Sequence, residues 1–169
     1  MRTDTILALD PGLRDLGFAI LTRGRFRHGG VIPLRLLPTD KRIPEAKRQL
    51  RSWFRLYRPD TVVIEQTHWH PVPWLDGLDV LAKVIALMAK RRGINVATYA
   101  AQTVRKHLLG NGRATKREAA HVVATWFPSL RVYLTQDRKW KERYWQNMFD
   151  AVALAIHHRR NGQPPSRSR

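Results

Sequence analysis

Two short apolar runs that each end in a carboxylate constrain this chain more than any other feature. Ile6-Leu7-Ala8-Leu9 leads into Asp10 and then Pro11-Gly12, and Thr61-Val62-Val63-Ile64 leads into Glu65. Apolar runs of this length, closed by turn residues, are buried strands. An acid at the carboxyl tip of a buried strand stands where α/β sheets place their sites. The surroundings make those acids conspicuous. The chain carries 31 Lys and Arg against 13 Asp and Glu, a formal net charge of +18. Such a charge draws polyanions, nucleic acid above all. A carboxylate placed where phosphate will arrive suits the capture of a divalent cation.

Length and composition narrow the classes. At 169 residues the chain is most simply one domain with a real core, and its 43% hydrophobic content excludes a disordered basic tail. It has no cysteine, which excludes disulfides, thiolate chemistry and a sulfur-based zinc site. The first strand begins by residue 5, so no signal or transit peptide is expected. No apolar stretch is long enough to span a bilayer. The cations are spread along the chain rather than set beside an apolar anchor, so nucleic acid is the stronger reading of the charge than a membrane surface. The expected setting is the cytoplasm, at the nucleoid if the source is bacterial.

The pattern predicts strands at 5–10, 17–22 and 26–32, with Gly24 in a tight hairpin. Thr39 or Asp40 is expected to cap a helix whose apolar face is Ala46, Leu50, Trp53 and Tyr57. A strand at 61–65 follows Pro59-Asp60. A helix at 74–92 carries the seam Trp74, Leu78, Leu81, Ile85 and Met88, and Gly93 stops it. Next come a strand at 95–99 and a helix opened by the capping box Thr115-Lys116-Arg117-Glu118. A last helix covers 144–160. Residues 1–160 are expected to form the domain, and 161–169, rich in Pro, Ser and Arg, a disordered basic tail. Three strands followed by alternating helices and strands imply a mixed five-stranded sheet flanked by helices.

A third acid completes the set. On the last helix Trp145, Met148, Phe149, Val152 and Ile156 form an apolar stripe. Asp150 is expected off that stripe, with Asn147 on its side. Each acid alone fits a bland role: a turn Asp, a strand-end Glu, a solvated helix Asp. Together, in a chain poor in acids, they point to a metal site. Mg2+ takes hard oxygen ligands, and two such ions can activate water and stabilise a leaving oxygen. Lys116 lies in the first turn of a helix, where free N–H groups and the dipole favour an anion. His157 and His158 are expected to end a helix as cations favoured by its dipole.

These residues carry a family resemblance. Leu7-Ala8-Leu9-Asp10-Pro11-Gly12 followed by Gly17-Phe18-Ala19-Ile20 resembles the opening of RuvC-type Holliday-junction resolvases, within the ribonuclease H-like superfamily. Val63-Ile64-Glu65-Gln66 is similar to the second acidic motif. Residues 100–106 and 110–116 resemble the two basic DNA-contact motifs, and residues 150–157 the final acidic helix. The motifs stand in order and run to His157.

The resemblance implies an α/β, ribonuclease H-like fold and a crossover junction endodeoxyribonuclease. Such an enzyme is a phosphodiester hydrolase that resolves Holliday junctions by paired symmetric nicks in DNA recombination and repair. Asp10, Glu65 and Asp150 would hold metal, two Mg2+ ions per site with Mn2+ able to substitute. The family has an acid or His three residues before the last Asp. Asn147 stands there, an amide that can ligate weakly but can neither add charge nor act as a base. Asp15 and Asp137 are acids that could stand in. Lys116 would act beside the metals. Arg105, Lys106, Arg113 and Arg117 would meet DNA phosphates, and His68 with Trp69 would stack at the junction centre. The helix at 74–92 would pair in a homodimer, which suits two equivalent strands to cut. A branch-migration helicase is a candidate partner. The basic segment 130–146 is either a DNA-arm contact or a solvated loop. Two other activities fit the same residues: a ribonuclease H-like nuclease for other branched DNA or RNA–DNA hybrids, and a junction-binding architectural protein weakened in catalysis by Asn147.

Overall fold

The computed structural model describes residues 4–12, 14–66, 76–134 and 139–161. Its sheet is mixed and five-stranded. The strands are β1 (Thr5–Pro11), β2 (Leu16–Thr22), β3 (Arg25–Ile32), β4 (Thr61–Gln66) and β5 (Asn95–Ala100), in the order β3-β2-β1-β4-β5. β2 is antiparallel to both neighbours, and β4 is parallel to β1 and β5. The β2–β3 hairpin turns on Arg23 and Gly24, both at positive φ (52° and 72°). Two such residues make a turn whose twist matches the strands it joins.

The pleat sorts the side chains onto two faces. Leu7, Leu9, Phe18, Ile20, Val62 and Ile64 meet α1 (Thr39–Tyr57) and α2 (Asp76–Lys90), through Leu50, Trp53, Leu81 and Ile85. Ile6, Ala8, Ala19, Leu21 and Val63 lie in the core of the opposite face. That face is covered by α3 (Ala101–Leu109), α4 (Lys116–Trp126), the short α5 (Arg131–Leu134) and α6 (Lys139–Asn161). Among the described residues no helix is long and apolar enough to cross a membrane.

Several local expectations change. α6 is not one-sided: from Met148 to His157 no residue is more than 9% exposed. A helix apolar almost all round is a buried one. Asp150 is therefore buried although it lies off the apolar stripe. α6 also starts five residues earlier than the apolar pattern suggested, at Lys139 rather than Tyr144. The charged stretch there carries no cap signal. α3 was not visible in the pattern. It follows β5 without a loop and ends at Gly110 (φ 71°). Neither Thr39 nor Asp40 caps α1; Pro38 is its N-cap and Thr39 its first residue. The α4 box forms as expected, with Glu118 N donating to Thr115 Oγ1 (3.2 Å) and Thr115 N to Glu118 Oε2 (2.6 Å).

Candidate active site

The sheet register places the first two acids. Leu9 pairs with Ile64, so Asp10 and Glu65 follow side by side on parallel strands. Asp10 shares the parity of Ile6 and Ala8, and Glu65 that of Val63. Both acids therefore point to the α6 face. Asp10 also pairs across β1 and β2 with Gly17. A Cβ on Gly17 would lie 2.1 Å from the Asn147 carbonyl oxygen. The missing side chain thus lets the α6 backbone approach the sheet beside Asp10, which brings Asp150 inward. One carboxylate oxygen from each of Asp10, Glu65 and Asp150 lies within 4.8 Å of the others.

This cluster is electrostatically unfavourable by itself. Burial pushes the Asp10 pKa well above the usual carboxylate range, and Glu65 and Asp150 push it further, against Lys116. Glu65 is also raised, by burial and then Asp150, against Lys116 and Arg105. Burial works to lower Lys116, but the three acids outweigh it and its pKa is raised. Lys116 Nζ donates to Asp150 Oδ2 at 2.6 Å. Mutually repelling hard oxygens, from buried Asp10 and Asp150 and half-buried Glu65, fit a divalent cation, which relieves the repulsion.

Gln146 is a site residue that the sequence reading missed. Its Nε2 donates to Asp150 Oδ1 at 2.9 Å, so Asp150 is held at both oxygens. The signal was its spacing: four residues before Asp150 is the same helix side. Asn147 faces the β1–β2 turn. Its Nδ2 donates to the Asp15 carbonyl (3.1 Å), and its Oδ1 has no partner among the described residues. The Asp15 carboxylate is ion-paired with Arg35 and is no substitute acid. Asp137 lies outside the described residues.

The expected DNA contacts fall on neighbouring elements. Arg105 and Lys106 are on α3, Arg113 precedes α4, and Lys116 and Arg117 open it. Arg105 Nε is buried without a hydrogen-bond partner among the described residues. His68 and Trp69 lie outside the described residues, as do the side chains at 135–143. His157 and His158 are not helix-end cations. His157 is 5% exposed, with Nδ1 3.0 Å from His107 Nδ1. Burial lowers its pKa, helped by His107 and His158. His158 bonds the Tyr99 hydroxyl (2.9 Å) and is also lowered by burial, against Asp4.

Comparison with known proteins gives the family and the fold. The family model described as crossover junction endodeoxyribonuclease RuvC matches residues 6–158. A protein of that name from Maricaulis maris is 30% identical over 168 residues, covering 92% of each chain. Another, from Paramagnetospirillum magneticum, is 30% identical over 96% of this chain and 97% of its own. Among solved structures, Thermus thermophilus RuvC in complex with Holliday junction substrate has a TM-score of 0.73 at 22% identity, covering 92% of each chain. The yeast mitochondrial Holliday junction resolvase has a TM-score of 0.64 at 11% identity, over 91% of this chain and 77% of that one. The two structures share the fold: a mixed five-stranded sheet flanked by helices. With a family model spanning nearly the whole chain and relatives alike from end to end, this chain belongs to the RuvC family of crossover junction endodeoxyribonucleases.

Proposed function

We propose that this chain resolves four-way DNA junctions by paired symmetric nicks, using two Mg2+ ions held by Asp10, Glu65 and Asp150, with Mn2+ able to substitute. One observation carries this: three carboxylates from separate elements converge within 4.8 Å in a chain of net charge +18. When bound, such ions would activate water and stabilise the leaving oxygen of a phosphodiester. The protein's own groups do the rest. Lys116 holds Asp150 in place and offers its ammonium to the phosphate or to the charge that develops on it. Gln146 keeps Asp150 turned inward. Arg105, whose buried Nε has no partner among the described residues, and the exposed Lys106, Arg113 and Arg117 attract the phosphates of the arms, an attraction that weakens steeply with salt. His68 and Trp69 stack at the junction centre. Asn147 adds at most a weak amide oxygen.

The enzyme works as a homodimer through the helix at 74–92. The surface of α2 supports this: Val80 and Leu87, seven residues apart on one face, are 46% and 49% exposed. The nuclease domain is 1–160, with a basic tail beyond it. It acts in the cytoplasm, at the nucleoid if the source is bacterial, with a branch-migration helicase as the partner able to deliver junctions.

The test is a four-way junction labelled separately on each strand and incubated with Mg2+. Two nicks at symmetry-related positions are expected, and none with chelator. Asp10→Asn should bind the junction and leave it uncut; undiminished cutting by that variant refutes the metal assignment. A flap and an RNA–DNA hybrid as competitors separate this activity from a general ribonuclease H-like one. Binding without cutting under every condition supports the architectural alternative instead.

A further inference from the structure

Beside the acids, α4, α5 and α6 line a half-open cavity of about 340 Å3. Its lining includes Lys116 and Gln146, the two side chains that hold Asp150. The cavity is thus one residue away from the acid cluster. Its other walls are of a different kind. Ala120 and Phe149 are buried core residues of α4 and α6, and Tyr133 and Leu134 come from α5. The Tyr133 ring packs on Trp145, with centroids 4.4 Å apart, which fixes that wall. None of these four residues has a part in holding a cation or attracting a distant phosphate.

A cavity with aromatic and apolar walls and a cationic edge fits a flat ring attached to a phosphate. Lys116 and Arg117 supply the edge. The volume lies at the small end of ligand pockets, which run from about 300 to 1,000 Å3. Gln146 adds a means of recognition: its Nε2 is engaged with Asp150, while Oε1 has no partner among the described residues and can accept an N–H from a ring edge. A base is most easily unstacked where pairing is already interrupted, as at a branch point.

We propose that this cavity receives one unstacked base of the strand being cut, from a nucleotide adjoining the scissile phosphate. This rests on the junction-cutting activity proposed above, and it deepens that activity by assigning a cavity and a stacking side chain, Tyr133, to a base at the cut. The base stacks against Tyr133, its phosphate lies along Lys116 and Arg117, and Gln146 couples its presence to the orientation of Asp150.

Junctions carrying a single abasic nucleotide on either side of the cut test this, with wild-type protein, Tyr133→Ala and Tyr133→Phe in Mg2+. Stacking of a base on an aromatic ring corresponds to about 5- to 150-fold in affinity. The wild type should cut the abasic junction at least about fivefold more slowly when the gap is on one side and unchanged when it is on the other. Tyr133→Ala should slow cutting of the intact junction by a similar factor, and should cut the abasic junction at the wild-type rate for that substrate. Tyr133→Phe should cut like the wild type. Penalties that multiply, or equal wild-type rates on intact and abasic junctions, overturn the proposal. Equal rates leave junction cutting itself standing, whereas a wild type that cuts no intact junction removes both. If Tyr133→Ala unfolds, Tyr133→Leu, which keeps an apolar wall without a ring face, takes its place in the same comparison.

Discussion

Without divalent cations, Asp10→Asn should stabilise this protein. Asp10 is buried, and its carboxylate oxygen lies within 4.8 Å of one from Glu65 and one from Asp150. At an effective dielectric constant of about 20, two unit charges about 5 Å apart repel by about 3 kcal/mol. Asp10 meets two such repulsions and one attraction, from Lys116. The net is about 3 kcal/mol, to which burial adds. Proton linkage sets a ceiling. An acid with an unfolded pKa near 3.9 loses about 1.36 kcal/mol for each unit its folded pKa rises, so at pH 7 the loss stops at about 4 kcal/mol, when the group takes a proton instead. Asparagine keeps the shape and removes the charge. At about 2–4 °C per kcal/mol for a chain of this size, the metal-free variant should melt about 6–12 °C above the wild type at pH 7. The sign with pH follows from the raised folded pKa. The penalty is full above that value, shrinks as pH falls through it, and is absent below the unfolded value. The gap between the two proteins should therefore close from pH 7 to pH 4. Mg2+ should reverse their order, raising the wild type and leaving the variant nearly unmoved. Thermal unfolding with chelator and with Mg2+ measures all of this. A metal-free Asp10→Asn protein that melts at or below the wild type refutes the electrostatic account of the cluster.

Gly17→Ala puts a Cβ 2.1 Å from the Asn147 carbonyl oxygen, so α6 must move off the sheet. The expected loss is about 1–3 kcal/mol in chemical denaturation, with a fall in cutting because Asp150 rides on α6. Gln146→Leu removes one of the two donors to Asp150. The Mg2+ concentration for half-maximal cutting should rise about 10- to 100-fold, with little change in melting. His157 and His158 have folded pKa values below the ordinary one. The unfolded chain therefore gains protons first as pH falls below about 6.5, and stability drops by up to about 1.36 kcal/mol per pH unit for each His. Denaturant titrations at pH 7, 6 and 5 of the protein with and without His157→Leu isolate the His157 part of this slope by difference, because the raised Glu65 carboxyl is common to both. His157→Leu should flatten it, and an unchanged slope contradicts the assignment.

Much of the frame was readable before any fold was known, because strand and cap signals are local. The apolar runs before Asp10 and Glu65, the Gly24 turn and the Thr115–Glu118 box each specify their own backbone within a few residues. Period-two alternation even assigns Asp10 and Glu65 to faces of their strands. Those same signals failed wherever burial came from several directions. A helix covered on every side has no single stripe, so the pattern gives α6 one apolar face where it has several, and gives His157 the role of a cation at the helix end. α3 was missed because its short pattern merged with the strand before it. Gln146 carried no motif and acquires a role only through Asp150.

The order of the elements, the two strand-tip acids and the polyanion-seeking charge were thus determined by the chain itself, since they depend on neighbours in sequence. The convergence of Asp10, Glu65 and Asp150, and the cavity beside them, were decided only in three dimensions. They depend on the parallel register of β1 with β4 and on Gly17 admitting the α6 backbone, contacts between residues far apart in the chain. Long-range packing sets such distances, and no local pattern encodes them.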